Sequence, residues 1–242
     1  MSLRTDHIYK IDALYEQRIK TTDDFYKMPV IEPEHFLPTR LVGFNYIKDQ
    51  GECNFGMHFF LDDNQFERIW NRPARYVNML KRYECMLTVD FSLYTDMPTS
   101  MLIWNTYRSR FLGAYYQSKG IKVIPTVSWA EKDSYNFCFA GLPKKATLAI
   151  STLGVRRYDT YTRLWREGLI QMLERLEPTD LIVYGAKVDF DYGNTKTHYY
   201  ENETIARLKK IPKKKKVKKE DEKNQDKAIN EPLKVVVYWG IV

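Results

Sequence analysis

Short apolar runs separated by segments of helical length are the feature that most constrains the fold of this chain. The runs cover residues 41–46, 57–61, 86–91, 122–127, 147–152, 181–185 and 234–239, and helical patterns lie at 64–83, 99–119 and 158–176. Several runs are apolar at consecutive positions, which is typical of parallel strands buried on both faces. Connections of helical length favour right-handed β-α-β crossovers. The pattern predicts an α/β fold: a TIM-like barrel, complete or partial, of repeated β-α units with mostly parallel strands.

Two segments fall outside this pattern and set the predicted domain organisation. Residues 1–40 contain one amphipathic stretch followed by three prolines, which predicts an N-terminal segment that caps the body. Residues 41–187 together with 233–242 form the predicted single α/β domain. Residues 188–232 form a predicted insertion. Its centre is a lysine-rich loop that can bury too little apolar surface to offset the entropy of ordering, so disorder is expected there.

The net charge of +7 comes from one tract of the chain. Between residues 207 and 219 there are nine basic residues and no acidic one, and subtracting nine from +7 leaves −2 for the rest. A broad nucleic-acid surface on the body is therefore not expected, whereas the tract can attract phosphates. The predicted nucleic-acid contacts are Lys213, Lys214, Lys215, Lys216, Lys218 and Lys219. The competing interpretation is a solvated loop, neutralised by the acidic residues that follow it.

Several classes of protein are disfavoured by what the sequence lacks. The three cysteines form no Cys-x-x-Cys pair, so buried free thiols are expected rather than a disulfide framework or a zinc cluster. There is no P-loop, no glycine-rich dinucleotide loop and no nucleophile elbow. No apolar run approaches membrane-spanning length, and the first residues lack the apolar core of a signal peptide. We therefore expect a cytoplasmic protein with no membrane partner.

Polar side chains follow three of the apolar runs. Asp62 and Asp63 come after the second run, Asp90 lies at the end of the third, and Ser128 and Trp129 follow the fourth. The carboxyl ends of parallel strands are where α/β folds hold their sites. Asp62 and Asp90 are thus candidate catalytic acids or bases, and with Asp63 they are candidate ligands for Mg²⁺ or Mn²⁺. The alternative is that Asp63 caps the following helix while Asp62 is solvated.

Contacts to a substrate are predicted on the helical segment 99–119 and after the fourth run. Asn105 and Arg108 lie three residues apart and share a helix face, where they can grip a phosphate or carboxylate. A serine and a tryptophan at a strand end offer a hydroxyl and a stacking surface for a base or sugar. The predicted substrate contacts are Asn105, Arg108, Ser128 and Trp129. The alternative is a structural Arg108 paired with Asp90 or Asp96, and hydroxyls that only cap helices.

The order of these motifs resembles that of a known family. His58-Phe59-Phe60-Leu61-Asp62-Asp63 comes first, followed by Asp90-Phe91-Ser92-Leu93-Tyr94, Trp104-Asn105-Thr106-Tyr107-Arg108 and Val123-Ile124-Pro125-Thr126-Val127-Ser128-Trp129. Over residues 30–185 the chain is similar to the uncharacterised domain-of-unknown-function family 4417 of bacteria, their phages and mobile elements. The resemblance implies a phage or mobile-element origin and the cytoplasm of a bacterial host. It implies no activity, and the lysine-rich insertion is not part of the family pattern.

Two functions of different classes fit these observations. The first is a phage or mobile-element protein that acts in nucleic-acid or nucleotide metabolism through an acidic site at the strand ends. The second is a non-enzymatic module that recognises a host or phage protein, such as a replication complex, in which case the aromatic residues would form an exposed patch. A third, weaker hypothesis is a DNA tether that works through the lysine-rich loop.

Overall fold

The computed structural model describes residues 19–47 and 53–202 of the chain. The predicted strand at 234–239 and the lysine tract lie outside the described residues. So do residues 1–18 of the predicted cap.

Parallel strands in two sheets form the centre of the described protein. The first sheet has the order β1 (Leu41–Gly43), β2 (Gly56–His58), β3 (Met86–Leu87) and β4 (Val123–Ile124), and the second has the order β5 (Thr147–Ser151), β6 (Asp180–Tyr184) and β7 (Lys196–Tyr200). Each pair of neighbouring strands is parallel. The predicted α/β class with mostly parallel strands is confirmed. Within residues 19–47 and 53–202, no backbone pairing joins β7 to β1, so a closed TIM barrel is not shown.

Two backbone hydrogen bonds join the two sheets. The Ala149 N–H of β5 donates to the Pro125 carbonyl at 2.8 Å, and the Val127 N–H donates to the Ala149 carbonyl at 2.8 Å. Pro125 and Val127 follow β4 directly, so the chain beyond β4 pairs briefly with β5. The seven strands therefore run side by side in one direction, and their carboxyl ends lie at a common edge.

The helices lie where the periodicity predicts them. They are α1 (Asp63–Asn71), α2 (Pro73–Leu80), α3 (Thr99–Ser118) and α4 (Asp159–Leu176), with 3₁₀ turns at Phe44–Tyr46, Lys132–Asn136 and Val155–Arg157. Pro73 divides the predicted helix 64–83 because its ring excludes the backbone hydrogen bond that would continue α1. It is well placed as the first residue of α2, where no such bond is needed.

The strands differ from expectation in two ways. They are shorter than the apolar runs, because residues such as Val89 and Phe91 are buried without belonging to a paired strand. The sequence pattern also did not predict β7, which lies within the segment 188–232 that is predicted as an insertion. Its residues, Lys-Thr-His-Tyr-Tyr, include no aliphatic run, and four of the five are only half-buried.

Three clusters of buried side chains form the core of the described residues. One cluster packs the first sheet against α1, α2 and α3, and a second packs β5 and β6 against α4. A third cluster contains Leu41, Phe60, Cys85, Leu87, Ile124, Ala149, Ile182 and Tyr184. Because the third cluster draws on strands of both sheets, the two sheets share one interior.

The segment before β1 runs along the amino ends of the strands. The Glu34 carbonyl accepts a hydrogen bond from the N–H of Thr147, the first residue of β5, at 2.8 Å. The Thr39 hydroxyl donates to Glu84, two residues before β3, at 2.9 Å. The Ile31 side chain is fully buried. This end of the sheets is therefore covered by residues 31–39, and the predicted site residues lie at the opposite end.

Trp129 is held in the core by a glycine of α4. Its indole N–H donates to the Leu164 carbonyl at 3.2 Å, and its side chain is 3% exposed. A Cβ atom at Gly168 would lie 2.1 Å from the indole nitrogen. Close approach of α4 to Trp129 thus requires glycine at position 168.

Gly168→Ala should destabilise the protein, although Gly→Ala within a helix normally stabilises by about 1 kcal/mol. The added methyl group overlaps the Trp129 ring, and overpacking of this kind costs roughly 1–3 kcal/mol. Urea unfolding of the two proteins gives the difference in unfolding free energy. In a Trp129→Leu background the same substitution should cost less, because the ring is gone. An equal cost in both backgrounds would contradict the packing described here.

Candidate acidic site

Asp90 is a buried carboxylic acid beyond the carboxyl end of β3. Its side chain is 6% exposed, and its buried Oδ1 atom accepts no hydrogen bond from any described residue. The pKa of Asp90 is raised to about 7: burial and the nearby Asp63 carboxylate raise it, and hydrogen bonding from Ser128 and the charge of Arg110 oppose them. A carboxyl group that titrates near neutral pH can both donate and accept a proton under physiological conditions.

Asp63 is tied to the loop that follows Asp90. Its Oδ1 atom accepts hydrogen bonds from the Ser92 hydroxyl at 2.8 Å and from the Ser92 N–H at 3.2 Å. Burial raises the pKa of Asp63, and the two Ser92 bonds and the charge of Arg108 lower it. The capping alternative does not describe this residue, because Asp63 is the first residue of α1 and Asp62 is the N-cap, without a side-chain capping bond. The Ser92 bonds bring the start of α1 close to Asp90.

Asp62 does not join this pair in a metal-binding group. It is half-exposed and accepts a long hydrogen bond of 3.4 Å from the Gln65 amide. In the part of the chain that the structure describes, no three His, Cys, Asp or Glu side chains are grouped closely enough to hold a metal ion. The predicted Mg²⁺ or Mn²⁺ ligands Asp62, Asp63 and Asp90 are therefore not assembled as a set of three. The arrangement is a pair of carboxyl groups, Asp63 and Asp90, with serine hydroxyls beside them.

A hydrogen-bonded bracket of Glu67, Asn105 and Arg108 joins α1 to α3. The Arg108 guanidinium donates to both oxygens of Glu67, at 2.8 and 3.0 Å, and to the Asn105 side-chain oxygen at 2.7 Å. It also lies over the Phe91 ring, 3.7 Å from the centroid. The carboxylate partner of Arg108 is thus Glu67, where the sequence suggested Asp90 or Asp96.

Hydrogen bonds through Ser92 connect the bracket to Asp63 of the acidic pair. The Asn105 amide donates to the Ser92 carbonyl at 2.7 Å, and Ser92 in turn donates to Asp63. Glu67, Arg108, Asn105, Ser92 and Asp63 therefore form one chain of hydrogen bonds. In this arrangement Arg108 and Asn105 fix the position of the acidic pair.

Arg110 is the cation beside Asp90, and it is not among the site residues predicted from the sequence. It is 3% exposed, and its guanidinium donates to the carbonyls of Ala140, at 3.1 Å, and Cys138. Burial lowers the pKa of Arg110 to about 10, so it stays charged at neutral pH. One sequence signal was present: at helical spacing Arg110 shares a face with Thr106, Gly113 and Ala114, and all four residues are buried.

The two other predicted substrate contacts, Ser128 and Trp129, differ in burial, and His58 lies in the core as part of β2. Ser128 is half-buried and contacts Asp90. Trp129 has no exposed ring face and occupies the position of a core side chain. His58 is buried in β2, and burial lowers its pKa to about 3, so the ring is neutral at physiological pH. Its Nδ1 atom accepts the Phe60 N–H at 3.2 Å.

The stability of the protein should depend on pH through Asp90. A pKa raised from 3.8 to about 7 means that the folded state holds this proton more tightly than the unfolded chain. The resulting stabilisation is complete below pH 3.8 and is lost as the pH rises to 7. Asp90→Asn removes this titration. Between pH 5 and pH 8 the unsubstituted protein should therefore lose about 2–3 kcal/mol of unfolding free energy through this group, and Asp90→Asn should not show this loss.

Urea unfolding at the two pH values measures this difference. The matched control is Asp96→Asn, since Asp96 is exposed and only six residues away. We expect the control to follow the unsubstituted protein at both pH values. If Asp90→Asn also does so, Asp90 does not titrate as a buried acid.

No helix of the described residues is long and apolar enough to cross a membrane.

Comparisons with known proteins agree on the phage character of the chain. It is 41% identical over 179 residues to the Gene 1 protein of Mycobacterium phage L5, covering 73% of this chain and 78% of that protein. It is 39% identical over 179 residues to the Gene 1 protein of Mycobacterium phage D29, covering 73% of this chain and 66% of that protein. No solved structure matches the chain. A family model matches residues 20–201, and the resemblance seen in the sequence is thereby confirmed: the chain belongs to the family described as Domain of unknown function (DUF4417).

Proposed function

We propose that this phage-family protein is an enzyme that acts on a nucleotide or nucleic-acid substrate, with Asp90 as its general acid or base. One observation carries the proposal. The Asp90 carboxyl group is buried beside a second carboxyl group, at the carboxyl end of a parallel strand, and one of its oxygens has no hydrogen-bond partner among the described residues. Burying such a group is costly, and perturbed acids of this kind cluster at functional sites.

The two carboxyl groups are suited to different roles. Two bonds from Ser92 favour the ionised form of Asp63, whereas Asp90 retains its proton until about pH 7. Asp90 can therefore donate a proton and take it back, close to the Asp63 carboxyl group, whose pKa is also raised by burial in spite of the Ser92 bonds. The charge on Asp63 supports the raised pKa of Asp90.

The fold supports this location for the site. The interior that both sheets share, and the hydrogen bond of 2.7 Å from the Tyr200 hydroxyl of β7 to the Pro38 carbonyl before β1, favour an incomplete TIM-like barrel. Active sites of such barrels lie at the carboxyl ends of the strands. We place the protein in the cytoplasm of the bacterial host, where its substrate is available.

The binding-module hypothesis stays a prediction. It calls for an exposed aromatic patch: Trp70 and Trp129 are buried and Tyr94 is half-buried, whereas Trp104 and Tyr158 are exposed.

Asp90→Asn should abolish turnover while leaving the fold intact. The assay incubates the full chain with ribonucleoside and deoxyribonucleoside triphosphates and with a single-stranded oligonucleotide, in MgCl₂ and in EDTA, and separates products by chromatography. Loss of a general acid or base lowers the rate by roughly 10²–10⁴-fold. With unsubstituted protein, kcat should follow a titration near pH 7.

Asp96→Asn is the control for turnover and should behave as the unsubstituted protein. Circular dichroism and thermal unfolding confirm that each variant is folded. Full turnover by a folded Asp90→Asn protein would exclude the proposed role of Asp90. Failure of every substrate to react or to raise the melting temperature would exclude the proposed substrate class.

A further inference from the structure

We propose that single-stranded nucleic acid binds across the carboxyl ends of β5 and β6, with its phosphates on Arg156, Arg157 and Lys187 and a base stacked on Tyr158. This inference rests on the proposed function and names the substrate class of the same edge of the sheets.

Three cations without an ion pair to a described residue lie on adjacent loops at this edge, and one of them, Lys187, lies over the Tyr199 ring at 5.0 Å from its centroid. Arg156 and Arg157 end the 3₁₀ turn that follows β5, and Lys187 lies three residues beyond β6. All three are exposed, and none forms an ion pair with a residue that the structure describes. The two loops touch, because the Thr152 hydroxyl donates to the Ala186 carbonyl at 2.7 Å. The cations therefore share one rim, as required for contact with successive phosphates.

Tyr158 supplies an aromatic surface next to these cations. Tyr158 is 52% exposed, although most of the aromatic residues that the structure describes are buried. The Tyr161 ring packs edge-on against it at 5.1 Å, and the Arg157 guanidinium lies 5.8 Å from its centroid. The ring is thus supported on one side and open on another. Exposed aromatic rings between cations are the arrangement by which proteins bind single strands without reading sequence.

Asp189 is exposed two residues beyond Lys187 and forms no ion pair with it, and two further carboxylates, Asp159 and Asp191, lie close to this rim. Asp159 is the first residue of α4, where the helix dipole stabilises a negative charge. The Asp191 carboxylate accepts a hydrogen bond from the Gly193 N–H at 2.9 Å. Neither forms an ion pair with Arg156, Arg157 or Lys187.

The rim lies on the same edge as the acidic pair. Strands β3 and β4 are paired in parallel, and the chain after β4 pairs in parallel with β5 through Ala149. A strand of nucleic acid held over β5 and β6 therefore lies on the side of the sheets where Asp90 is found. The cations would hold the phosphates, and the acidic pair would face the reacting group.

Fluorescence anisotropy of a fluorescein-labelled oligothymidylate tests the inference on the full chain. Arg156→Ala/Arg157→Ala should weaken binding roughly tenfold at low salt and reduce the slope of log affinity against log salt by about 1.4, because each phosphate contact of a single strand contributes about 0.7. Tyr158→Leu should weaken binding roughly tenfold with little change in slope, and Tyr158→Phe should retain it.

Lys144→Ala/Lys145→Ala is the matched control. It removes the same charge from two exposed lysines at the amino end of β5, and we expect unchanged affinity. The measurements are repeated with Lys213, Lys214, Lys215, Lys216, Lys218 and Lys219 replaced by glutamine, so that binding by the lysine tract does not mask the effect. Equal losses in the arginine and lysine variants, or unchanged affinity in the arginine variant of this background, would overturn the inference.

Asp90→Asn separates this inference from the proposed function. It should bind the oligonucleotide with unchanged affinity and lose turnover. If the arginine variant binds normally while Asp90→Asn loses turnover, the acidic site stands and the proposed binding rim is wrong. If the arginine variant loses binding while Asp90→Asn retains turnover, the rim stands and the role of Asp90 is wrong.

Discussion

The pairing at Ala149 is the constraint on which the arrangement of this protein depends. Two hydrogen bonds, from Ala149 to Pro125 and from Val127 to Ala149, align the second sheet with the first. A side-chain pairing reinforces the alignment one strand away, where the Thr88 hydroxyl accepts the Thr126 N–H at 2.8 Å and the Thr126 hydroxyl donates to the Thr88 carbonyl at 3.1 Å. Because all strands then point the same way, Asp63 after β2 and Asp90 after β3 lie at the same edge of the sheets as the basic residues after β5.

The acidic pair is held by groups that are distant in sequence. Ser92 links Asp63 to the loop after β3, and the bracket of Glu67, Arg108 and Asn105 fixes Ser92 in place. Every member of this chain has a specific partner, so the carboxyl groups are positioned before any substrate arrives. The Oδ1 atom of Asp90 and the Nε atom of Arg108 are both buried and have no hydrogen-bond partner among the described residues.

Arg108 and Arg110 show why adjacent charges take different roles. They lie two residues apart on α3, and therefore on different faces of the helix. Arg108 faces α1 and pairs with Glu67, while Arg110 faces the core and donates to two carbonyls of the segment before β5. The interaction of Arg110 with Asp90 is electrostatic, which moderates the pKa of the acid without occupying its free oxygen.

The sequence by itself determined the α/β class, three helical segments and most strands, because apolar periodicity is a local signal. It did not determine β7, whose half-buried Thr-His-Tyr-Tyr run resembles a loop in composition. Nor did it determine the partners of Arg108, the burial of Arg110 or the core position of Trp129. These depend on which helix face meets which neighbour, and Gly168 admits Trp129 only after α4 has docked. Contacts between residues distant in the chain are decided by packing, and only the tertiary structure records them.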